Sequence, residues 1–488
     1  MSPRANVQSR RGLRTIWVQR ASSCPPIDAF RRLLGAGHRP AFLHTGGPQT
    51  PGTGWSLIAL DPVAAFRFTP QEPADPFDRL RQALTADGAL EGERPPVPFV
   101  GGWIGYFSYD LAHRVERLRT AARVDHGFPL VELAYHRRVL AYDHDAATWT
   151  ACALVGDDAS ESAARSDLER LLDLISTAPL PAREPHRGAA LAGDLTSNFT
   201  RDAYEAAVRR VLDYIAAGDT YQVNLSQRFE GRLAVPPEEL ALRLFEASPA
   251  PFSAFLRFGK RAVVSSSPEL FLRVRDSAHV RGREVETRPI KGTRPRGATP
   301  DEDARLKAEL LASPKERAEL VMITDLLRND LGRVCEYGSV RVPELRAVES
   351  YPSVHHTYSR VVGHLRSDAG LRDGADLADL LRATLPGGSV TGAPKVRAME
   401  IIEELEPTAR GPYCGAIGWI GADGAMELSI AIRTILVEAD ETSGDRLTFQ
   451  VGGGIVADSD PAAEYEETLH KAHGMLRALG VAPSRPET

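Results

Sequence analysis

"RDAYEAAVRRVLDYIAAGDTYQVNLSQRF", residues 201–229, changes its period once, and that change decides the class of fold. Up to Gly218 the stretch has the spacing of an amphipathic helix, with glycine placed to close it. From Tyr221 onward "YQVNLSQRF" reads as a strand. Strands and long helices continue to interleave after it, irregularly and without a repeating βα unit. That pattern predicts an α+β fold built on antiparallel sheets, not a doubly wound one. Upstream, short strand-like runs follow one another: "TIWVQR", "PAFLHT", "WSLIAL", "AAFRF", "FVGGWIGYFSYDL", "RRVLAYD" and "TWTACALV". Only "DAFRRLLG", "FDRLRQALTA" and "ARSDLERLLDLI" have helical spacing among them.

The Pro-, Ala- and Gly-rich stretch "STAPLPAREPHRGAALAGDL" separates the two patterns. The expected division is therefore a domain over residues 21–180, a linker over 181–197 and a second domain over 198–480. Residues 1–20, with five arginines and no acid, read as a disordered basic tail. They lack the apolar core of a secretory signal.

A chain of 488 residues has ample apolar material for more than one core. Its net charge of −6 gives no electrostatic case for nucleic acid or an anionic membrane. No apolar run approaches the roughly 20 residues needed to span a bilayer. The four cysteines lie far apart and form no CxxC pair, which argues against structural zinc or a disulfide framework. A cytoplasmic protein is expected.

Chemistry is concentrated in three places. "SPKERAELVMITDLLRNDLG", residues 313–332, begins with a good N-cap and a proline and ends on Gly332. Glu316 and Glu319 share one face of that helix. For Glu316 the bland alternative is a capping box with Ser313. "DSDPAAEYEETLHKAHGMLRALG", residues 458–480, has Asp460 as cap, Pro461 next and Gly480 as stop. Glu464, Glu467 and Lys471 form one stripe on it, and the bland alternative is a solvated Glu467–Lys471 pair worth about 0.2–0.5 kcal/mol. Two such helices facing one cavity would make an oxygen-rich site suited to Mg²⁺.

The second place is a set of glycine turns. "LPGGSVTGAPKVRAMEIIEELEP" and "QVGGGIVADSD" expose backbone N–H groups suited to an anion, without the spacing of a nucleotide-binding loop. In the strand-like run "MELSIAIRTILVE", Arg433 falls on the face opposite Met426 and Leu428, and its planar fork suits a carboxylate. The third place pairs Lys291, in "ETRPIKGTRPRG", with Glu269, in "SSSPELFLRV". A lysine at its reference pKa is neutral in only about four molecules per ten thousand at pH 7. Burial, or nearby cations such as Arg288, Arg294 and Arg296, would let the amine shed its proton and act as a nucleophile.

Together these stretches resemble the chorismate-utilising enzymes, which include anthranilate synthase, aminodeoxychorismate synthase, isochorismate synthase and salicylate synthase. Eight blocks carry the resemblance in family order: "YQVNLSQRF", "SSPELF", "RPIKGTRPRG", "KERAELVMITDLLRNDLGRV", "PGGSVTGAPKVRAMEIIEELEP", "YCGAIGWIG", "IAIRT" and "GGGIVADSDPAAEYEETLHKA". The likeness is strong over residues 198–480 and weaker before them. It implies a two-domain fold of large antiparallel sheets flanked by helices.

Within the family, water-using members place a lysine where this chain has Gln222. A neutral amide cannot act as a base, which leaves amine transfer. The loop Pro-Ile-Lys-Gly-Thr resembles the aminodeoxychorismate branch, where anthranilate synthases typically have alanine at the Lys291 position. The Leu-Leu-Glu-Ser stretch of tryptophan-regulated anthranilate synthases is also missing near "AFLHTGG". Two departures are Leu320, where many relatives have histidine, and a few extra residues between Glu269 and Lys291, expected at a hairpin tip.

The resemblance implies chorismate as substrate and Mg²⁺ held by Glu319 and Glu467, with Glu316 and Glu464 behind through water. It assigns the enolpyruvyl carboxylate to Arg433, Tyr413, Gly453 and Gly454, assisted by Lys471. His356, Ser389 and Thr293 match pocket positions. Glu269 would protonate the departing 4-hydroxyl while Lys291 attacks C2, and ammonia would then add at C4. No cysteine lies in a Gly-x-Cys-x-Gly turn, so ammonia is expected from a separate glutamine amidotransferase subunit. The alternatives are anthranilate formation with loss of pyruvate, and a non-catalytic partner protein with a decayed site.

Overall fold

The structure is a computed structural model describing residues 12–481, apart from 47–53, 87–89, 120–121, 157–158, 182–188, 278–281, 352–353, 367–374, 441 and 443. Its strands form two sheets, of 13 and 10 strands among the described residues. The fold is α+β, with large antiparallel sheets flanked by helices. Among the named strands, parallel pairing occurs only between Leu13–Ala21 and the short Leu90–Glu91.

The strand-like runs at the start of the chain form strands at Leu13–Ala21, Ala41–His44, Trp55–Leu60, Ala64–Phe68, Gly102–Phe107, Arg138–Asp143 and Thr148–Gly156. Helices Pro26–Gly35, Pro76–Leu84 and Glu161–Thr177 fall where the period of 3.6 placed them. The opening stretch folds as helix Arg201–Ala216, with Gly218 in the left-handed region just past its end, followed by strand Gln222–Leu233.

The two sequence segments do not keep to separate sheets. In the first sheet Phe42 pairs with Phe255, joining Ala41–His44 to Phe252–Phe258. In the second, Phe107 pairs with Ala416, joining Gly102–Phe107 to Ala416–Gly421. A core packed between the sheets draws Leu57, Ile104 and Tyr106 from one segment and Leu256, Val263, Ile417 and Trp419 from the other. The boundary seen in composition is a turn of the path, not a gap in packing.

Several expectations need correction. Strand Leu13–Ala21 takes up the second half of the presumed tail, because Leu13 and Ile16 are buried against its neighbours; residues 1–11 lie outside the described part. The expected linker ends in strand Leu191–Ser197, which pairs along Gln222–Leu233, and residues 182–188 of it are not described. The hairpin-tip insertion falls on 278–281, outside the described residues, between strands Leu270–Asp276 and Arg283–Thr287.

"MELSIAIRTILVE" is not one strand. Met426–Ile430 belongs to the second sheet and Thr434–Glu438 to the first, and Arg433 lies in the break with φ of 51°. A chain crossing between layers has to leave the ladder, so alternation ceases to predict which way Arg433 points. Likewise Gly332 stays inside helix Pro314–Gly332, which Arg333 caps in right-handed geometry.

Candidate active site

Two helices bring carboxylates to the place where strand Arg446–Ile455 ends. In Pro314–Gly332 the Glu316 N–H donates to Ser313 Oγ at 3.4 Å. The capping box stops halfway, because the Glu316 carboxylate does not return to the cap. Its Oε1 accepts from Arg294 at 2.8 Å, and its Oε2 is buried without a hydrogen bond. Glu319 Oε2 lies 3.6 Å from Lys291 Nζ.

On helix Pro461–Leu479, Asp460 caps by accepting from Ala463 N at 2.9 Å, and Gly480 closes the other end at φ of 75°. Glu464 is 5% exposed and accepts from Ser459 Oγ at 2.6 Å. Burial raises its pKa, only partly offset by that hydroxyl. Glu467 makes its expected pair with Lys471 at 2.6 Å, and the same amine donates to Gly452 O at 2.8 Å. The Glu467 side chain is 51% exposed, so it is only partly desolvated, and Lys471, Lys291 and Lys315 outweigh that effect to give a net shift down.

Glycines 453 and 454 are the floor on which these groups meet. A Cβ built on Gly453 would lie 2.9 Å from Glu464 Oε2, 3.6 Å from Glu467 Oε1 and 3.9 Å from Lys471 Nζ. One on Gly454 would lie 3.0 Å from Gln222 Nε2 and 3.1 Å from Lys291 Nζ. Backbone without side chains is what lets groups from four elements approach. Gln222 is fully buried, and neither its nitrogen nor its oxygen has a hydrogen-bond partner. An amide left unpaired in that position costs stability and remains available to a ligand.

The cations expected around Lys291 are committed elsewhere. Arg288 pairs with Glu349, Arg294 with Glu316, and Arg296 with Asp303 at 2.7 Å. The charged group close to the Lys291 amine is instead a carboxylate, Glu319. Sequence proximity misled here because Arg294 and Arg296 reach along the strand to acids of the two following helices.

Glu269 lies between strands Arg261–Ser267 and Leu270–Asp276 and is 6% exposed. Burial raises its pKa to about 7, against a hydrogen bond from Ser389 and the charge of Lys291, both of which lower it. Ser389 sits in the short turn Gly388–Val390. His356 is held by Thr293 Oγ1 at 2.7 Å from its Nδ1. Burial, and then Arg433, lower its pKa to about 3, so the ring is neutral. Arg433 itself has no ion pair with a described residue. Desolvation lowers its pKa, as expected for a partly buried cation with no counter-charge. Tyr413 is buried in the core under the second sheet, its ring 5.9 Å from the Arg410 guanidinium.

Among the described residues, no three acidic, histidine or cysteine side chains are placed to enclose a metal ion. The donor chemistry nonetheless fits Mg²⁺, with hard carboxylate oxygens from two helices, one of them orphaned in the interior. Lys291 lies beside Glu319 and Lys471 beside Glu467, and Lys315 adds positive charge at longer range. Lys315 was not anticipated. It acts on Glu464 and Glu467 from the other helix, and the periodicity of its own helix carries no sign of that.

A sequence profile described as chorismate binding enzyme matches residues 40–477. The chain is 40% identical over 468 residues to the anthranilate synthase component 1 1 of Haloarcula marismortui, covering 94% of this chain and 91% of that one. It is 38% identical over 450 residues to the aminodeoxychorismate synthase component 1 of Escherichia coli, covering 90% and 92%. The crystal structure of anthranilate synthase component I from Streptococcus pneumoniae superposes with a TM-score of 0.72 at 31% identity, over 88% of this chain and 93% of that one.

Proposed function

The chain belongs to the chorismate binding enzymes, a chorismate-utilising family, and from that premise we propose that it forms 4-amino-4-deoxychorismate from chorismate and ammonia. The observation that carries this reading is the Lys291 amine, set beside the neutral Gln222 amide over Gly454. An amine in that position can attack carbon, whereas a branch that adds water needs a base where Gln222 stands.

Arg433, without a protein counter-charge, receives the enolpyruvyl carboxylate, beside the N–H groups of Gly453 and Gly454 and with Tyr413 and Lys471 in support. Neutral His356, oriented by Thr293, adds a hydrogen bond without competing for the anion. Mg²⁺, held by Glu319 and Glu467 with Glu316 and Glu464 behind them, would neutralise the ring carboxylate. Glu269, with a pKa of about 7, keeps a proton near neutrality and delivers it to the departing 4-oxygen. The Lys291 amine, once it has given up its proton, forms a bond to C2 as that C–O bond breaks and water leaves. Ammonia then bonds to C4, the double bonds shift back, and the lysine departs from C2. The sum consumes chorismate and ammonia and releases water and the aminated product, with the pyruvyl group kept. A separate amidotransferase subunit is the proposed source of ammonia in the cell, and the cytoplasm the proposed location. No helix among the described residues is long and apolar enough to cross a membrane.

The test is turnover of chorismate with ammonium and Mg²⁺ by the purified chain, with the product identified by mass. Aminodeoxychorismate is the expected product; direct release of fluorescent anthranilate would overturn the assignment in favour of the tryptophan branch. Lys291→Ala should lower amination by at least about a thousandfold. Wild-type rates in that variant would remove Lys291 from the nucleophile's role.

A further inference from the structure

Beside the candidate site lies a cavity of about 450 Å³ that shares Arg433, His356 and Lys471 with it. Its outer wall is one stripe of helix Pro461–Leu479: His470, His473, Gly474 and Arg477, at spacings that put them on a single face. A second wall is formed by the end of helix Pro237–Ala247, the turn 248–251 and Pro268, the neighbour of Glu269. Helix and turn are in close contact, since a Cβ on Gly474 would come within 2.7 Å of Ser248 Cβ. The cavity therefore has packed walls along part of its length.

Its charge is unlike that of the molecule. The chain as a whole carries −6, whereas the lining holds Arg433, Lys471 and Arg477 against a single acid, Glu246. Lys471 is paired with Glu467. Arg477 and Arg433 form no ion pair with a described residue, and Arg477 is exposed on the solvent side. A dianion is repelled by the surface at large and attracted along this line of cations.

We propose that the cavity is the anion-steering entrance to the site, in which Arg477 holds the incoming dicarboxylate before it passes inward to Arg433. The inference rests on chorismate being the substrate. Arg477 acts here as a positioning residue that touches the substrate only on its way in.

The experiment measures initial rates of chorismate consumption by the full chain, Arg477→Glu and Arg477→Gln, at ionic strengths from about 0.02 M to about 0.5 M. At low salt, kcat/KM should fall about fivefold for Arg477→Glu and about twofold for Arg477→Gln, with kcat little changed. The gap should close at high salt, where the Debye length shrinks below about 5 Å. Loss of stability would not produce that salt dependence. Equal kcat/KM at low salt, a deficit that persists at high salt, or a fall in kcat alone would each overturn the proposal. The product is scored in the same assay. Anthranilate would overturn the proposed reaction and leave the steering test intact, whereas wild-type protein that consumes no chorismate would overturn both.

Discussion

Glu269 owes its chemistry to being out of water. Burial lifts its pKa from 4.5 to about 7, so the folded protein holds a proton that the unfolded chain has already released between those values. The sign follows from the raised value. The unfolded state binds fewer protons, so stability is lost as pH rises through that window. The loss is at most about 3 kcal/mol. Glu269→Gln should therefore gain on wild type in denaturant titrations as pH rises from about 5 to about 8, while amination drops by about 10²–10⁴. A variant whose stability relative to wild type does not change with pH would show that the carboxyl is not the buried acid described here. The wild-type kcat should decline above about pH 7, where Glu269 gives up its proton. At this scale the sequence showed which residues carry charge. It did not show that Arg288, Arg294 and Arg296 are neutralised by acids, or that Gln222 is unpaired.

The elements differ in how they tolerate the same change. Gly454 faces the ends of two flexible side chains, Gln222 and Lys291, whereas a Cβ on Gly392 would meet the carbonyl oxygen of Gln222 at 2.1 Å. Gly454→Ala should leave thermal stability within a few degrees of wild type and cut kcat. Gly392→Ala should cost about 3 kcal/mol or more, because backbone on strand Gln222–Leu233 has to move. Thermal unfolding and kinetics on the same preparations separate the two. The Pro314–Gly332 helix is pinned to the glycine loop by Lys395, whose amine reaches Asp330 at 2.5 Å and Pro386 O at 3.1 Å. Lys395→Met should destabilise the fold by about 3–5 kcal/mol by leaving Asp330 buried and alone. A shift below about 1 kcal/mol would contradict a buried pair. The N-caps and glutamate spacing of both acidic helices, and the Gly480 stop, were legible because they are local. The break at 431–433 was not, since what ends that strand is a change of sheet.

In the whole molecule, both sheets are continued across strands from the two sequence segments, Phe42 against Phe255 in one and Phe107 against Ala416 in the other. A fragment over residues 198–481 would expose three strand edges, on Gln222–Leu233, Phe252–Phe258 and Ala416–Gly421, and half of the inter-sheet core. It is expected to aggregate or to lack near-ultraviolet dichroism, while the full chain unfolds in a single calorimetric transition. A soluble fragment with native-like spectra and chorismate binding would contradict this. The sequence by itself determined the class of fold, because period, capping and turn residues act over a few positions, and the order of its motifs marked the family by resemblance. Only the tertiary structure decided which residues meet over Gly453 and Gly454, which cations keep a free charge and that the segments share their sheets, because charge neutralisation and strand pairing depend on groups hundreds of positions apart.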